Sequence, residues 1–401
     1  MQCKKGLWRL LVPVLLIAVL LTLTAPAAAD QKTTTWVFRV TRAEEDCDGT
    51  DLLRSVLLYQ KSVGQLYLFL PAGWDASSLR LWFDEPSEVS LKGETVHSGD
   101  AVSFFVPGKS ISMKAGRKTV KVTTMQADSL PTVFLTTASG SADAIHASKK
   151  NEEEGTVLLT DADGTTLTEQ HLTSLRCRGN TSFSLPRKKS YQFKLEKGEG
   201  LLGMDKSKTW VVTSGYRDRT FIRNKITYDM ALYVGIPYAI ESRLVNVYMN
   251  GDYRGVFSLC EKVQISSSGV NIGDLEKATE KVNDSELSAY ERLGQKELTA
   301  GGGKWSAIPN DPEDISGGYL VCYENAVHYR GLSAAYVTDR EVLVAIKEPD
   351  YVSEAQYSYI SSLLQSFENA IFAEDGIDPT TGKHYTEIAD FDSLVLKYVL
   401  E

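Results

Sequence analysis

Short runs that alternate apolar and polar residues, VFRV, QLYLFLP, LRLWF, AVSFFVP and KTVKVTT, recur from Thr34 to about Thr124, broken repeatedly by Gly, Pro, Asp and Ser. Period-two alternation between turn residues is the signature of half-buried strands. Residues 30–125 are therefore expected to form a small all-β, sandwich-like domain, serving for spacing or attachment. Trp36, Trp74 and Trp82 read as core or surface aromatics of that domain rather than as a sugar platform. A second rhythm begins near Leu130 with PTVFLTT, a buried-strand pattern. It passes a charged loop, SKKNEEEG, and enters TVLLTDADGTTL, whose DADG reads as a hairpin turn because regularly spaced calcium ligands are missing.

Between Arg187 and Leu195 the alternation puts Lys189, Tyr191, Phe193 and Leu195 on one strand face and Ser190, Gln192 and Lys194 on the other. Trp210 to Val212 predicts a further strand. Asp218 and Thr220 are candidate caps for a helix whose apolar stripe is Ile222, Ile226, Met230 and Val234, ended by Gly235 and Pro237. Asn250-Gly251 between Leu244–Met249 and Tyr253–Cys260 predicts a two-residue hairpin. Residues 275–315, rich in charge and interrupted by Gly301 to Gly303, are expected to form a mobile, partly helical insertion. Ser353 with Gln356 predicts a capping box for a core helix carrying Tyr357, Ile360, Leu364, Phe367 and Ile371. The closing segment, LVLKYVLE, stops at Glu401 with no glycine, proline or basic cap, so the chain reads as a fragment.

Composition adds three constraints. With 401 residues and 43% hydrophobic content the chain supports two or three domains with a sizeable core. Lys4, Lys5 and Arg9 before an apolar run to about Leu23, then Ala25-Pro26-Ala27-Ala28-Ala29, predict a signal peptide over residues 1–29. Its removal takes the basic count from 43 to 40 against 52 acids, a net charge of −12, which disfavours nucleic acid and leaves no stable membrane span. Cys47, Cys177, Cys260 and Cys322 lack zinc-like spacing, and their pairing stays open between disulfides and isolated thiols.

Candidate chemistry is concentrated between Arg176 and Lys262. Gly179 and Asn180 in RCRGN permit unusual backbone angles that aim N–H groups at an anion. Lys194 in mid-strand stands where an ammonium could meet phosphate. Arg223 and Asn224 open a helix whose dipole disfavours cations unless an acid or phosphate answers them; Asp218 is the available acid. Glu261 and Lys262 close the second hairpin strand, where a connector begins.

Collectively RGN-x-S from Arg178 to Ser182, KKSYQFKL, LLGMDKSKTWVV, FIRNK, ESRLVNVYMNGDYRGVFSLCEKV, DISGGYL and IKEPD resemble the CotH (spore-coat protein H) kinase family, from about Leu130 to the end. The resemblance implies an α+β, atypical protein-kinase-like domain over 130–401, incomplete at its C-terminus. It further implies transfer of the ATP γ-phosphate to protein Ser or Thr, with Mg²⁺ or Mn²⁺ bridging the phosphates. Carried over by position, Arg178, Gly179 and Asn180 lie near the nucleotide and Lys194 contacts phosphate. Glu261 and Lys262 border the adenine, while Arg223 supports the site from behind. The acceptor implied is a protein, such as a serine-rich coat or surface protein, and the setting is exported, at the cell surface or on a spore. The family's catalytic and metal-binding acids follow a helix resembling DFDSLVLKYVLE and are therefore expected beyond Glu401, so this fragment is expected to be inactive. The competing expectation is a non-catalytic coat or adhesion scaffold on the same fold. A glycosidase finds no identifiable carboxylate pair.

Overall fold

The computed structural model describes residues 36–62, 64–127, 129–184, 188–267, 269–284, 286–295 and 298–400. The expected signal peptide lies outside these, and so does Glu401. Ten strands come first: β1 (Phe38–Arg42), β2 (Val56–Leu57), β3 (Tyr59–Ser62), β4 (Gln65–Leu70), β5 (Leu79–Phe83), β6 (Val89–Leu91), β7 (Glu94–Val96), β8 (Ala101–Val102), β9 (Ser110–Ala115) and β10 (Lys118–Gln126). They form a four-stranded sheet, β2-β1-β5-β8, and a six-stranded sheet, β3-β4-β10-β9-β6-β7. AVSFFVP contributes only its first two residues to a strand. Trp74 is core, whereas Trp36 is only partly buried against it.

Seven more strands follow: β11 (Thr132–Thr137), β12 (Glu152–Thr160), β13 (Thr166–Arg178), β14 (Ser190–Gly200), β15 (Lys206–Thr213), β16 (Ser242–Met249) and β17 (Asp252–Glu261). They close a barrel in the order β11-β12-β13-β14-β15-β17-β16, sealed by parallel pairing of β11 with β16. EEEG, read from sequence as charged loop, opens β12, because its backbone pairs with β13. Gly155 is required there: a Cβ would sit 1.9 Å from the Thr136 carbonyl oxygen. Tyr191, Phe193 and Leu195 point inward with Cys177, Trp210, Val212, Phe257 and Leu259, as the alternation requires.

The outward face of β11, β12 and β16 is apolar too. Phe134, Leu158 and Tyr248 enter the core of the first two sheets, and the Tyr248 hydroxyl donates to the Phe69 carbonyl at 2.8 Å. The β16–β17 tip is anchored into this seam. Asn250 (φ 51°) accepts the Thr137 N–H at 3.0 Å through its side chain, and the Gly251 carbonyl accepts the Leu57 N–H at 2.8 Å.

Beyond the barrel, β18 (Arg292–Gly294), β19 (Gly303–Ser306), β20 (Leu320–Tyr323), β21 (Ala335–Val337) and β22 (Leu343–Glu348) form a five-stranded sheet, order β18-β19-β21-β22-β20. The charged stretch 275–315 is therefore built in, with a helix at Leu275–Asn283 and two strands of this sheet. Against the sheet lies the Glu354–Phe372 helix. Ser353 accepts the Gln356 N–H at 3.1 Å, but the Gln356 side chain turns to Thr279 instead of closing a capping box. The closing apolar segment forms a helix at Phe391–Leu400, the last element described. The chain is thus mixed α+β, and among the described residues no helix is long and apolar enough to cross a membrane.

Tyr248 tests the shared core. Tyr248→Phe should cost about 1 kcal/mol, and Tyr248→Ala about 3–5 kcal/mol, the range for deleting a buried aromatic, both read from urea midpoints. An alanine variant within about 1 kcal/mol of the parent would show that barrel and sheets do not pack as one.

Candidate functional site

Directly paired residues on neighbouring strands point to the same side. Across β13 and β14, Arg178 faces Ser190, Arg176 faces Gln192 and Ser174 faces Lys194. Lys194 faces Thr209 on β15, whose carbonyl accepts the Lys262 N–H at 3.0 Å. Since Cys177, Tyr191 and Phe193 fill the interior, Arg176, Arg178, Lys194 and Lys262 all stand on the outer face of four consecutive strands. The rows of Arg178 and Lys194 are four residues apart, about 13 Å at the usual strand rise. Lys194 is exposed, and Arg178 and Lys262 are half-buried.

The Arg223–Tyr233 helix lies over the neighbouring part of this face, beside β16. Burial pushes the Cys260 thiol beneath it up to about 11 and raises the Tyr228 hydroxyl on it; the Arg178 charge opposes both rises, which places its guanidinium near the helix. The expected apolar stripe does not supply the contact. Ile226 and Met230 are 48% and 46% exposed, and Ile222 and Val234 are exposed as well. Half-buried Thr227, Tyr228 and Ala231 face inward instead.

At the helix start, Gly179 (φ 95°) turns β13 into the short Thr181–Ser184 helix. A Cβ there would lie 1.9 Å from Ser182 Oγ. Asn180 accepts from Lys149 Nζ through its side chain. Next to this turn opens a cleft of about 490 Å³ lined by Thr181, Ser182, Ser190, Ser214, Arg217 and Asn224. Asp218 organises its far wall, accepting from the Thr220 hydroxyl at 2.6 Å and the Arg223 N–H at 2.9 Å, contacts that hold its carboxyl below the ordinary range. Arg223 Nε lies 3.6 Å from the same carboxylate and its side chain is 79% exposed, so the acid answering this cation is Asp218.

At the helix end a second cleft, about 260 Å³, is lined by Asp205, Leu232, Ile236, Glu241, Glu261 and Val263 among others. Glu261 belongs to the row of Trp210, not to that of Lys262, and so turns toward the barrel mouth. Burial, then Asp205 and Glu241, raise its carboxyl. The lining is mixed, with the carboxylates of Asp205, Glu241 and Glu261 beside Leu232, Ile236 and Val263; it can accept from the N–H donors of a flat ring, and it repels phosphate.

The candidate residues thus do not share one cleft. Gly179, Asn180 and Arg223 stand at one end of the helix and Glu261 at the other, while Arg178, Lys194 and Lys262 share the surface between. Sequence reasoning missed Lys188. Its ammonium donates to the Val256 carbonyl and lies 4.3 Å and 4.2 Å from the ring centres of Phe221 and Phe257, fastening the turn before the helix to β17. Three successive basic residues in RKK offered no spacing that singles it out. The expectation that the catalytic acids follow Glu401 falls outside the described residues, which end one position earlier, at Leu400. Among the described residues no group of three or more His, Cys, Asp or Glu side chains is placed to hold a metal ion. Cys47, Cys177, Cys260 and Cys322, whose pairing the sequence left open, are free thiols in this structure.

Residues 175–399 match the model of the CotH kinase protein family, and the chain belongs to that family. No curated protein matches the chain.

Burial pushes the Lys188 ammonium down to about 8. Unfolded, the same group titrates near 10.4. Between these values the unfolded chain carries more protons, so this group's contribution to stability rises with pH. Urea midpoints from pH 7 to about 10.5 should therefore improve for the parent relative to Lys188→Met. A difference independent of pH would mean that the ammonium is solvated.

Proposed function

We propose that the complete protein is an exported, ATP-dependent protein kinase acting on Ser or Thr, and that its nucleotide lies along the outer barrel face beside the Arg223–Tyr233 helix. The supporting observation is the common orientation of Arg178, Lys194 and Lys262, cations that reach one surface from three strands. Such a surface suits a polyphosphate, and the cleft at the helix end, where Leu232, Ile236 and Val263 stand beside the carboxylates of Asp205, Glu241 and Glu261, can take the amine-bearing edge of its base. When bound, ATP supplies the transferable phosphoryl group. Lys194 and Lys262 hold its phosphates as point charges, Arg178 can do so bidentately, and Lys188 keeps the helix entry in place.

The described residues do not fit Mg²⁺ or Mn²⁺, so no step is assigned to the metal here. In this reading the acids that hold it and orient the acceptor hydroxyl lie beyond Glu401, in the rest of a kinase-like domain that begins near residue 130, and residues 1–401 alone bind nucleotide without transferring phosphate. Residues 30–125 serve as an accessory domain, and the acceptor is a serine-rich coat or surface protein.

Two measurements test this. Calorimetric titration of this chain with ATP should give saturable binding, weakened about tenfold by Lys194→Ala or Lys262→Ala. In the complete protein, with labelled ATP and Mg²⁺ or Mn²⁺, Lys194→Ala should slow transfer about a hundredfold, since such contacts contribute roughly 3 kcal/mol. Absence of nucleotide binding would turn the reading toward a scaffold; binding with unaltered variants would remove the cationic face from the site.

A further inference from the structure

The sheet beyond the barrel gathers three cations that the nucleotide reading does not use. Between β18 and β19 Arg292 pairs with Ser306 and Gly294 with Lys304, so Arg292 and Lys304 are diagonal neighbours on one face, about 7–8 Å apart. Lys304 also pairs with Ala335 of β21, and Tyr329 packs against Ala335. The Lys304 ammonium donates to the Tyr329 carbonyl at 2.8 Å and lies 4.3 Å from the centre of the Tyr329 ring. Arg330 is the next residue, on the 3₁₀ turn Ala326–Gly331. Arg292 is fixed in its own way, its guanidinium donating to the Tyr351 hydroxyl at 3.2 Å.

Positive charge concentrated in this way runs against the balance of a chain whose net charge is −9. Elsewhere the arginines are answered, Arg42 by Glu45, Arg54 by Glu169 and Arg223 by Asp218. Here, among the described residues, no carboxylate forms an ion pair with Arg292, Lys304 or Arg330. Burial, then the charges of Arg292 and Arg330, lower the Lys304 ammonium, so the cations oppose one another as they stand. Arg292 and Arg330 are exposed and Lys304 is half-buried, which leaves N–H donors of all three elements facing solvent. Repulsion that no acid of the fold relieves is relieved by an anion from outside.

We propose that Arg292, Lys304 and Arg330 together hold a phosphate monoester, and that its bearer is a phosphoserine of the acceptor protein. A carboxylate brings a single charge and leaves most of the repulsion in place. A phosphate monoester brings nearly two charges and three acceptor oxygens, which suit two planar guanidinium forks and one ammonium. The choice of phosphoserine rests on the reading of the complete protein as a kinase for a serine-rich acceptor. The product of one transfer then docks on the sheet and keeps neighbouring serines at hand, so that one acceptor chain is modified repeatedly. No residue of the nucleotide face takes part.

The test is fluorescence anisotropy of the purified chain with a labelled serine-glycine peptide carrying two phosphoserines, beside the same peptide unphosphorylated and with Glu at both positions. Saturable binding is expected for the phosphopeptide, about tenfold weaker or more for the other two. Arg330→Ala, at an exposed position that should leave the thermal transition in place, and Arg292→Ala should each weaken it about tenfold, while Lys194→Ala and saturating ATP leave it unchanged. No saturable binding would overturn the proposal, leaving three solvated cations. So would equal affinity for the Glu peptide, or binding indifferent to Arg330→Ala and Arg292→Ala. Displacement by inorganic phosphate as readily as by unlabelled phosphopeptide would also overturn it, reducing the site to one for free phosphate. ATP titration of the same sample separates the two readings: ATP binding without phosphopeptide binding removes this site alone, and the reverse keeps the phosphate site while removing the nucleotide face.

Discussion

Closure of the seven-stranded barrel constrains everything around it. Once β11 pairs in parallel with β16, each strand has one face that water cannot reach, and large side chains must fill it: Trp210, Tyr191, Phe193 and Phe257 do so. Alternate residues then have no choice but to face outward. Arg176, Arg178 and Lys194 are on one surface because their neighbours Cys177, Tyr191 and Phe193 are committed to the interior. The cationic face is a by-product of the packing, and its precision is that of strand register rather than of loops.

The same constraint divides the outer surface by function. On β11, β12 and β16 the outward residues Phe134, Leu158 and Tyr248 are apolar and join the neighbouring sheets into one core. On β13 and β14, and just past the end of β17, they are charged. On β13 and β14 a slip of one residue would exchange the two sets, placing cations in the core and aromatics in water, so the register is held strongly there.

Much of this was legible in the chain. The inward set of β14 follows directly from alternation, and Asn250-Gly251 turns as its residue types require. The hairpin at DADG also forms where expected, with the Asp161 N–H on the Thr165 carbonyl. Other features were not legible, each for a physical reason. The Ile222 to Val234 stripe has helical spacing, yet spacing cannot say which face finds a partner, and Tyr228 and Ala231 found it. Glu261 and Lys262 are adjacent in sequence and therefore opposite in a strand, which separates two residues expected to act together. The stretch 275–315 read as a mobile, partly helical insertion; a helix does form at Leu275–Asn283, but its strands are short, and β19 pairs with residues more than thirty positions away on β21. The role of Lys188 depends on Phe221 and Phe257, which no local pattern associates with it.

Hairpin tips are ordinarily where a chain tolerates inserted residues, since they project into solvent. The tip at Asn250-Gly251 is an exception, with the Thr137 N–H on the Asn250 side chain, the Arg39 guanidinium on the Asn250 carbonyl and the Leu57 N–H on that of Gly251. Its length is consequently frozen. Any lineage of this protein is free to vary other connections, but a tag, a graft or a new terminus introduced at this turn would separate the two halves of the molecule.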